Sequence, residues 1–169
     1  RFRMSGSPLQ GHPNMLYVPG LEASTGSLGQ GLSQANGMAL GARLRGETGV
    51  RIFCNCGDGE LQEGNIWEAA MTAAHYKLDN LILIYDSNDV TLDAMADKTQ
   101  SENVAQKYAA IGWDVQTVNG HDLAAFLTAY EKARAATGKP QLIIAKTTIG
   151  KGIPEVAGTS KAHGEGGAK

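Results

Sequence analysis

An aspartate between two glycines is the first place in this sequence where side chains could do chemistry. Asp58 lies between Gly57 and Gly59, directly after an apolar run that is typical of a buried strand. Asn88 follows a second apolar run further along the chain. Ligands bind at the carboxyl ends of the strands in an open parallel sheet, so both side chains are expected at one edge. Their hard oxygen atoms predict a magnesium ion that anchors a diphosphate.

Glycine is frequent in this chain, at 22 of 169 residues, where ~7 per cent is usual. Its clusters lie between the apolar segments, where a backbone without side chains can approach a ligand closely. A Gly-Asp-Gly tripeptide alone also marks an ordinary turn, and the pairing with Asn88 is what favours a functional site. Gly37 and Gly41, four residues apart, indicate instead a helix that packs closely on a neighbour.

Hydrophobic periodicity predicts alternating helices and strands after an irregular arm at residues 1–27. Ser101 and Asp122 are the predicted N-caps of the last two helices. The alternation indicates an α/β fold in one domain, with a parallel β-sheet, helices on both faces and right-handed crossovers. The predicted helices are 28–44, 65–76, 101–110 and 122–136, and the predicted strands are 50–56, 81–85, 113–118 and 142–146.

The charge and the cysteines exclude several classes of protein. Fifteen Lys and Arg oppose 17 Asp and Glu, for a net charge of -2, and no long basic block favours a nucleic-acid partner. No apolar run approaches the ~20 residues that cross a bilayer, so no membrane partner is expected. Cys54 and Cys56 suit neither a disulfide framework nor a zinc site and predict two buried thiols in a reducing cytoplasm.

Several longer motifs resemble one family. The span GDGELQEGNIWEAAMTAAHYKLDNLILIYDSNDVTLD is similar to the thiamine-diphosphate motif of transketolases, which opens with Gly-Asp-Gly and closes near an Asn. GHPN, PGLEASTGSLGQG, KTTIGKG and HGEGGAK also resemble transketolase, so the similarity covers essentially the whole chain. Deoxyxylulose-phosphate synthases and 2-oxoacid dehydrogenases share the first motif, whereas STGSLGQG favours transketolase. The resemblance implies the three-layer α/β/α fold that binds thiamine diphosphate.

The resemblance also implies how the cofactors are bound. Mg²⁺, or Ca²⁺ in its place, would be held by Asp58, Asn88 and the backbone carbonyl of Val90. The Gly59 amide would meet the diphosphate. The rings of thiamine diphosphate would contact two pairs of residues: the aminopyrimidine would lie on Gly26 and Leu28, and the thiazolium on Leu92 and Ile149.

Four further residues are implied by position and have structural alternatives. His12 would hydrogen-bond a hydroxyl of the ketose donor, and His163 would lie near the diphosphate and the reacting carbon, both as catalytic residues. Without the resemblance, each histidine could equally belong to a turn or an irregular tail. Glu63 and Glu68 would join an acidic cluster at a dimer interface, or could simply complement a helix dipole.

The activity implied is the transfer of a two-carbon ketol unit from a ketose phosphate to an aldose phosphate. The chain resembles a single, N-terminally incomplete diphosphate-side domain that lacks the pyrimidine-binding domain and its activating glutamate. We therefore expect residues 1–169 to be inactive alone and to require that domain or subunit, within a homo-oligomer. A split subunit and a truncated chain both remain open, as do another thiamine enzyme and an inactive cofactor-binding module. Glu60 replaces a small residue or cysteine, and Asp93-Ala94 replaces Asp-Gly.

Overall fold

The computed structural model of the chain describes residues 3–164. None of the helices in that range is long and apolar enough to cross a membrane. The strands are β1 Ile52–Gly57, β2 Leu81–Ser87, β3 Val90–Thr91, β4 Ala94–Met95, β5 Asp114–Asn119 and β6 Gln141–Lys146. The helices are α1 Gln30–Leu44, α2 Gly64–His75, α3 Val104–Ala110 and α4 Leu123–Ala135.

Four strands form a parallel sheet in the order β1-β2-β6-β5. The connection from β2 to β5 contains α3 and leaves one strand position open between them. The chain then returns through α4, and β6 occupies that position. Because β1 and β2 are neighbours in parallel register, Gly57 pairs with Asp86. The residues that follow the two strands therefore leave the sheet side by side, which places Asp58 next to the segment that begins at Asn88.

Helices cover both faces of the sheet. Leu81, Leu83 and Tyr85 of β2 belong to one buried cluster with residues of α1, α2 and α3. The alternate residue Ile82 belongs to a second cluster, with Ala129 and Ala133 of α4. A strand buried on both faces has no polar side, which explains the continuous apolar sequence of β2. The predicted three-layer arrangement is confirmed.

The two cysteines lie in the first of these clusters. Cys54 and Cys56 are free and buried, as predicted. Their sulfur atoms are 3.9 Å apart because residues two apart on a strand face the same side. The hydrogen bond with Cys54 raises the pKa of Cys56, and burial raises it further. The Cys56 thiol is therefore a packing group and stays protonated.

The first helix differs from its prediction at two points. It begins at Gln30 rather than at Leu28, because Gly29 adopts a left-handed conformation with φ of 81° and ends the preceding loop. Leu28 therefore lies outside the buried stripe and is 52% exposed. Among residues 3–164, the predicted close packing on a neighbour is not seen at either glycine. Gly41 is half-buried, and a Cβ there would lie 3.7 Å from the Arg45 side chain of the same helix. Gly37 is exposed, and a Cβ there would meet nothing within 4 Å.

The N-cap of α3 is Asn103 rather than the predicted Ser101, whereas Asp122 caps α4 as predicted. The Asn103 side chain accepts a hydrogen bond from the Gln106 amide at 3.0 Å. We expect Asn103→Ala to lower the free energy of unfolding by about 1 kcal/mol because that amide loses its partner. Ser101→Ala is the matched control and should change it little. Urea denaturation measures both, and equal losses would contradict the assignment.

Candidate functional site

Asp58 lies at the carboxyl edge of the sheet and is 2% exposed. One carboxylate oxygen accepts hydrogen bonds from the backbone amides of Asn88, at 2.8 Å, and Asp89, at 3.0 Å. The other oxygen accepts a hydrogen bond from the Tyr85 hydroxyl. The structure therefore brings Asp58 against the segment that contains Asn88, at the edge that the strand order dictates.

The segment after β2 is held by its own polar groups. The Asn88 side-chain oxygen accepts a hydrogen bond from the Val90 amide at 3.1 Å. Its side-chain nitrogen donates to Asp86 at 3.1 Å, and Asp86 also accepts from the Thr147 hydroxyl. Asp89 takes a left-handed conformation, with φ of 64°, that turns the chain between these contacts. Val90 is buried beneath this turn.

These donors fit a hard divalent cation. A carboxylate offers about four acceptor positions, and Asp58 uses three of them in the bonds described above. The Asn88 oxygen likewise keeps a second lone pair. Within residues 3–164, no group of three His, Cys, Asp or Glu side chains could hold a metal. One carboxylate with neutral oxygens is a set that Mg²⁺ completes with phosphate oxygens and water.

A cleft of about 490 Å³ lies along the edge strand β1 and is lined in part by Phe53, Cys54 and Asn55. His12, Gly26 and Leu28 line it, so three of the predicted site residues lie together. Gly26 has a φ of 143°, and a Cβ there would lie 2.9 Å from the His12 ring. The ring therefore packs directly on the Gly26 backbone. Glu60 also lines the cleft.

Leu92 and Ile149 lie apart from this cleft. Leu92 is 64% exposed and has a φ of 47° in the loop between β3 and β4. Ile149 lines a separate cleft of about 430 Å³ together with His121. The His121 side-chain nitrogen accepts a hydrogen bond from the Thr148 amide at 2.7 Å. His121 thus has a structural role, because this bond holds the segment that contains Ile149.

His163 is exposed and follows a short 3-10 turn at Ser160–Ala162. A Cβ at Gly150 would lie 2.8 Å from the last residue of that turn. The His163 segment therefore packs beside the Ile149 segment and does not line the cleft that contains His12. Ile149 and His163 therefore lie near each other, and neither lines the cleft that contains His12.

Glu63 and Glu68 are exposed at the start of α2. Glu63 is the N-cap residue, but its side chain makes no capping hydrogen bond. Glu68 accepts a hydrogen bond from the Thr72 hydroxyl through its backbone oxygen, and the residue is exposed. Both carboxylates are thus on the surface, where an interface could cover them.

The comparison with known proteins decides the family. A family model described as transketolase, thiamine diphosphate binding domain, matches residues 1–168. The chain belongs to this family. Transketolases of Dictyostelium discoideum and Physarum polycephalum are 47% and 51% identical to it, over 99% and 100% of its length. Each alignment covers 27% of the relative, so the chain spans about a quarter of the curated transketolases that it matches.

Solved transketolases have the same fold. The Campylobacter jejuni enzyme superposes with a TM-score of 0.87 at 41% identity, over 95% of this chain and 26% of its own. The Leishmania mexicana enzyme gives a TM-score of 0.88 at 37% identity, with the same coverage of both chains. The resemblance to transketolase and the predicted α/β fold are therefore both confirmed.

Two features of this transketolase domain escape prediction from the sequence. Tyr85, at the end of an apolar strand, is a hydroxyl donor to Asp58. Burial raises the pKa of Tyr85, and the nearby Asp58 carboxylate raises it further, so the hydroxyl remains a donor. Glu60 accepts a hydrogen bond from the Gly29 amide, across a long sequence separation. The position of Tyr85 at the end of a strand, next to the predicted site, is a signal from which its contact with Asp58 could be predicted. No local sequence pattern predicts the bond between Gly29 and Glu60.

Proposed function

We propose that this chain forms the diphosphate- and magnesium-binding half of a transketolase active site. The observation that supports this most directly is the buried Asp58 carboxylate, held against residues 88–89 in a chain of the thiamine-diphosphate-binding family. Asp58, Asn88 and the carbonyl of Val90 would bind Mg²⁺, with Ca²⁺ as an alternative ion. The Gly59 amide would donate to the diphosphate.

The remaining predicted residues would orient the cofactor and the donor sugar. Thiamine diphosphate supplies an electron sink for the breaking carbon–carbon bond when it is bound. Gly26 and Leu28 would support its aminopyrimidine, as their place in the cleft favours. His12, in the same cleft, would donate to a hydroxyl of the ketose phosphate. Leu92, Ile149 and His163 would contribute the other side of the site.

The activity requires surfaces beyond those of this chain. The pyrimidine-binding domain, or a separate subunit that supplies it, would complete the site with its activating glutamate. Glu63 and Glu68, exposed at the start of α2, would meet a second copy in a homo-oligomer. We place the protein in the cytoplasm, where the free thiols of Cys54 and Cys56 remain reduced. Ketose and aldose phosphates are the proposed substrates.

Complementation tests this proposal. The chain alone should bind thiamine diphosphate weakly in the presence of Mg²⁺ and transfer no ketol unit between sugar phosphates. Addition of a polypeptide with the pyrimidine-binding domain should restore transfer, measured as aldose-phosphate-dependent product formation. Cofactor binding without turnover after complementation would favour an inactive binding module. Reaction with 2-oxoacids in place of ketose phosphates would indicate another thiamine enzyme.

A further inference from the structure

Glu60 joins two loops that are distant in sequence. It begins the 3-10 turn Glu60–Gln62, directly after Gly59. Its side-chain Oε1 accepts a hydrogen bond from the Gly29 amide at 2.8 Å, in a partly buried position. Gly29 ends the loop that contains Gly26. One carboxylate therefore connects the loop at residues 26–29 to the turn at residues 57–60.

The backbone of Gly29, which donates this hydrogen bond, has little conformational freedom. Gly29 is buried and has a φ of 81°, a conformation that side chains other than glycine rarely adopt. A Cβ there would lie 2.0 Å from the Asn65 side-chain oxygen, so the Gly29 backbone rests directly on the start of α2. The Glu60 carboxylate thus accepts a hydrogen bond from the Gly29 amide, and the other side of Gly29 packs against Asn65.

Electrostatics also favours a carboxylate at this point. Gly29 is the N-cap of the 15-residue helix α1, and it provides no side-chain cap. The first turn of α1 contains no acidic residue. A helix N-terminus has a partial positive charge that an anion stabilises. Glu60 supplies that anion from another segment, which explains a charged residue where the family resemblance implies a small one.

We propose that Glu60 is a positioning residue that sets the spacing between the two ends of the cofactor site. This inference rests on the proposed function, in which Gly26 and Leu28 hold the aminopyrimidine and Gly59 holds the diphosphate. Because one molecule of thiamine diphosphate would span both loops, its affinity depends on their separation. Inorganic pyrophosphate would need the turn alone, so its affinity does not depend on the loop at residues 26–29.

The experiment compares these two ligands on the protein assembled with its pyrimidine-binding domain. Isothermal titration in the presence of Mg²⁺ gives the affinity of each ligand for the wild type and three variants. Glu60→Ala removes the acceptor, Glu60→Gln keeps an acceptor oxygen, and Gln62→Ala is the matched control. Gln62 lies in the same turn but bonds to Thr99, away from the 26–29 loop.

Glu60→Ala should weaken thiamine diphosphate about tenfold or more, as loss of a hydrogen bond to a charged group does. It should leave pyrophosphate affinity nearly unchanged. Glu60→Gln keeps the acceptor oxygen but loses the negative charge, so it should weaken thiamine diphosphate less than Glu60→Ala does. Gln62→Ala should leave the affinity of both ligands close to wild type. Equal weakening of both ligands by Glu60→Ala would overturn the inference, because the residue would then support the fold alone. A Glu60→Gln variant as weak as Glu60→Ala would overturn it too. Failure of the wild type to bind thiamine diphosphate would refute the proposed function itself.

Discussion

Asp58→Asn is expected to abolish magnesium-dependent binding of thiamine diphosphate while the chain stays folded. The amide oxygen can still accept from the Asn88 and Asp89 amides, and the new amide nitrogen can donate to the Tyr85 hydroxyl. The negative charge at the proposed magnesium site is lost. We expect a fall in cofactor affinity of at least about a hundredfold, since changes to outer-shell partners of a metal already cost 10–100-fold.

Titration calorimetry with Mg²⁺ present gives this affinity, and urea denaturation should show a stability loss of only about 1–2 kcal/mol. Asp89→Asn is the matched control, because Asp89 is exposed nearby and its left-handed backbone suits asparagine. It removes the same charge from a side chain that we do not propose as a ligand, so affinity should change little. Equal losses in both variants would show that general charge, and not a ligand, is what matters.

The sheet could be predicted because its signals are local. The apolar run of β2 and the alternation of helices with strands can be recognised from short stretches of sequence. These patterns predict the three layers and the edge of the sheet at which Asp58 lies. The N-cap at Asp122 belongs to the same class, because its acceptor and its donor are three residues apart. The resemblance of the longer motifs to transketolase then indicated the family, and the match of the family model confirms it.

What the sequence did not reveal depends on contacts between distant segments. The bond from Gly29 to Glu60 spans 31 residues. Asn103 and Ser101 are both residue types that cap helices, and in the structure Asn103 is the cap of α3. Leu28 falls on the helical period, yet the left-handed Gly29 starts the helix after it. The two helix starts and the long-range bond are therefore visible only in the folded chain.

Among the contacts between distant segments, the hydrogen bond from the Tyr85 hydroxyl to Asp58 has the largest expected effect on function. It donates to the carboxylate oxygen of Asp58 that the two backbone amides do not contact. The three donors together fix both oxygens of a 2% exposed side chain. Tyr85→Phe removes the donor to one Asp58 oxygen, so the carboxylate can rotate or bond to water. Loss of such an outer-shell partner should lower metal affinity by about 10–100-fold.

Tyr108→Phe provides the control, because Tyr108 is also fully buried in the same cluster. Among the described residues, its hydroxyl is buried without a hydrogen-bond partner. Removal of that oxygen should leave the free energy of unfolding unchanged or slightly higher. Metal affinity, followed with Mn²⁺ by electron paramagnetic resonance, should fall in Tyr85→Phe alone. Because the raised pKa of Tyr85 keeps its hydroxyl protonated, the loss should be the same between about pH 6 and 9. Similar affinities in the two variants would mean that backbone amides alone orient Asp58.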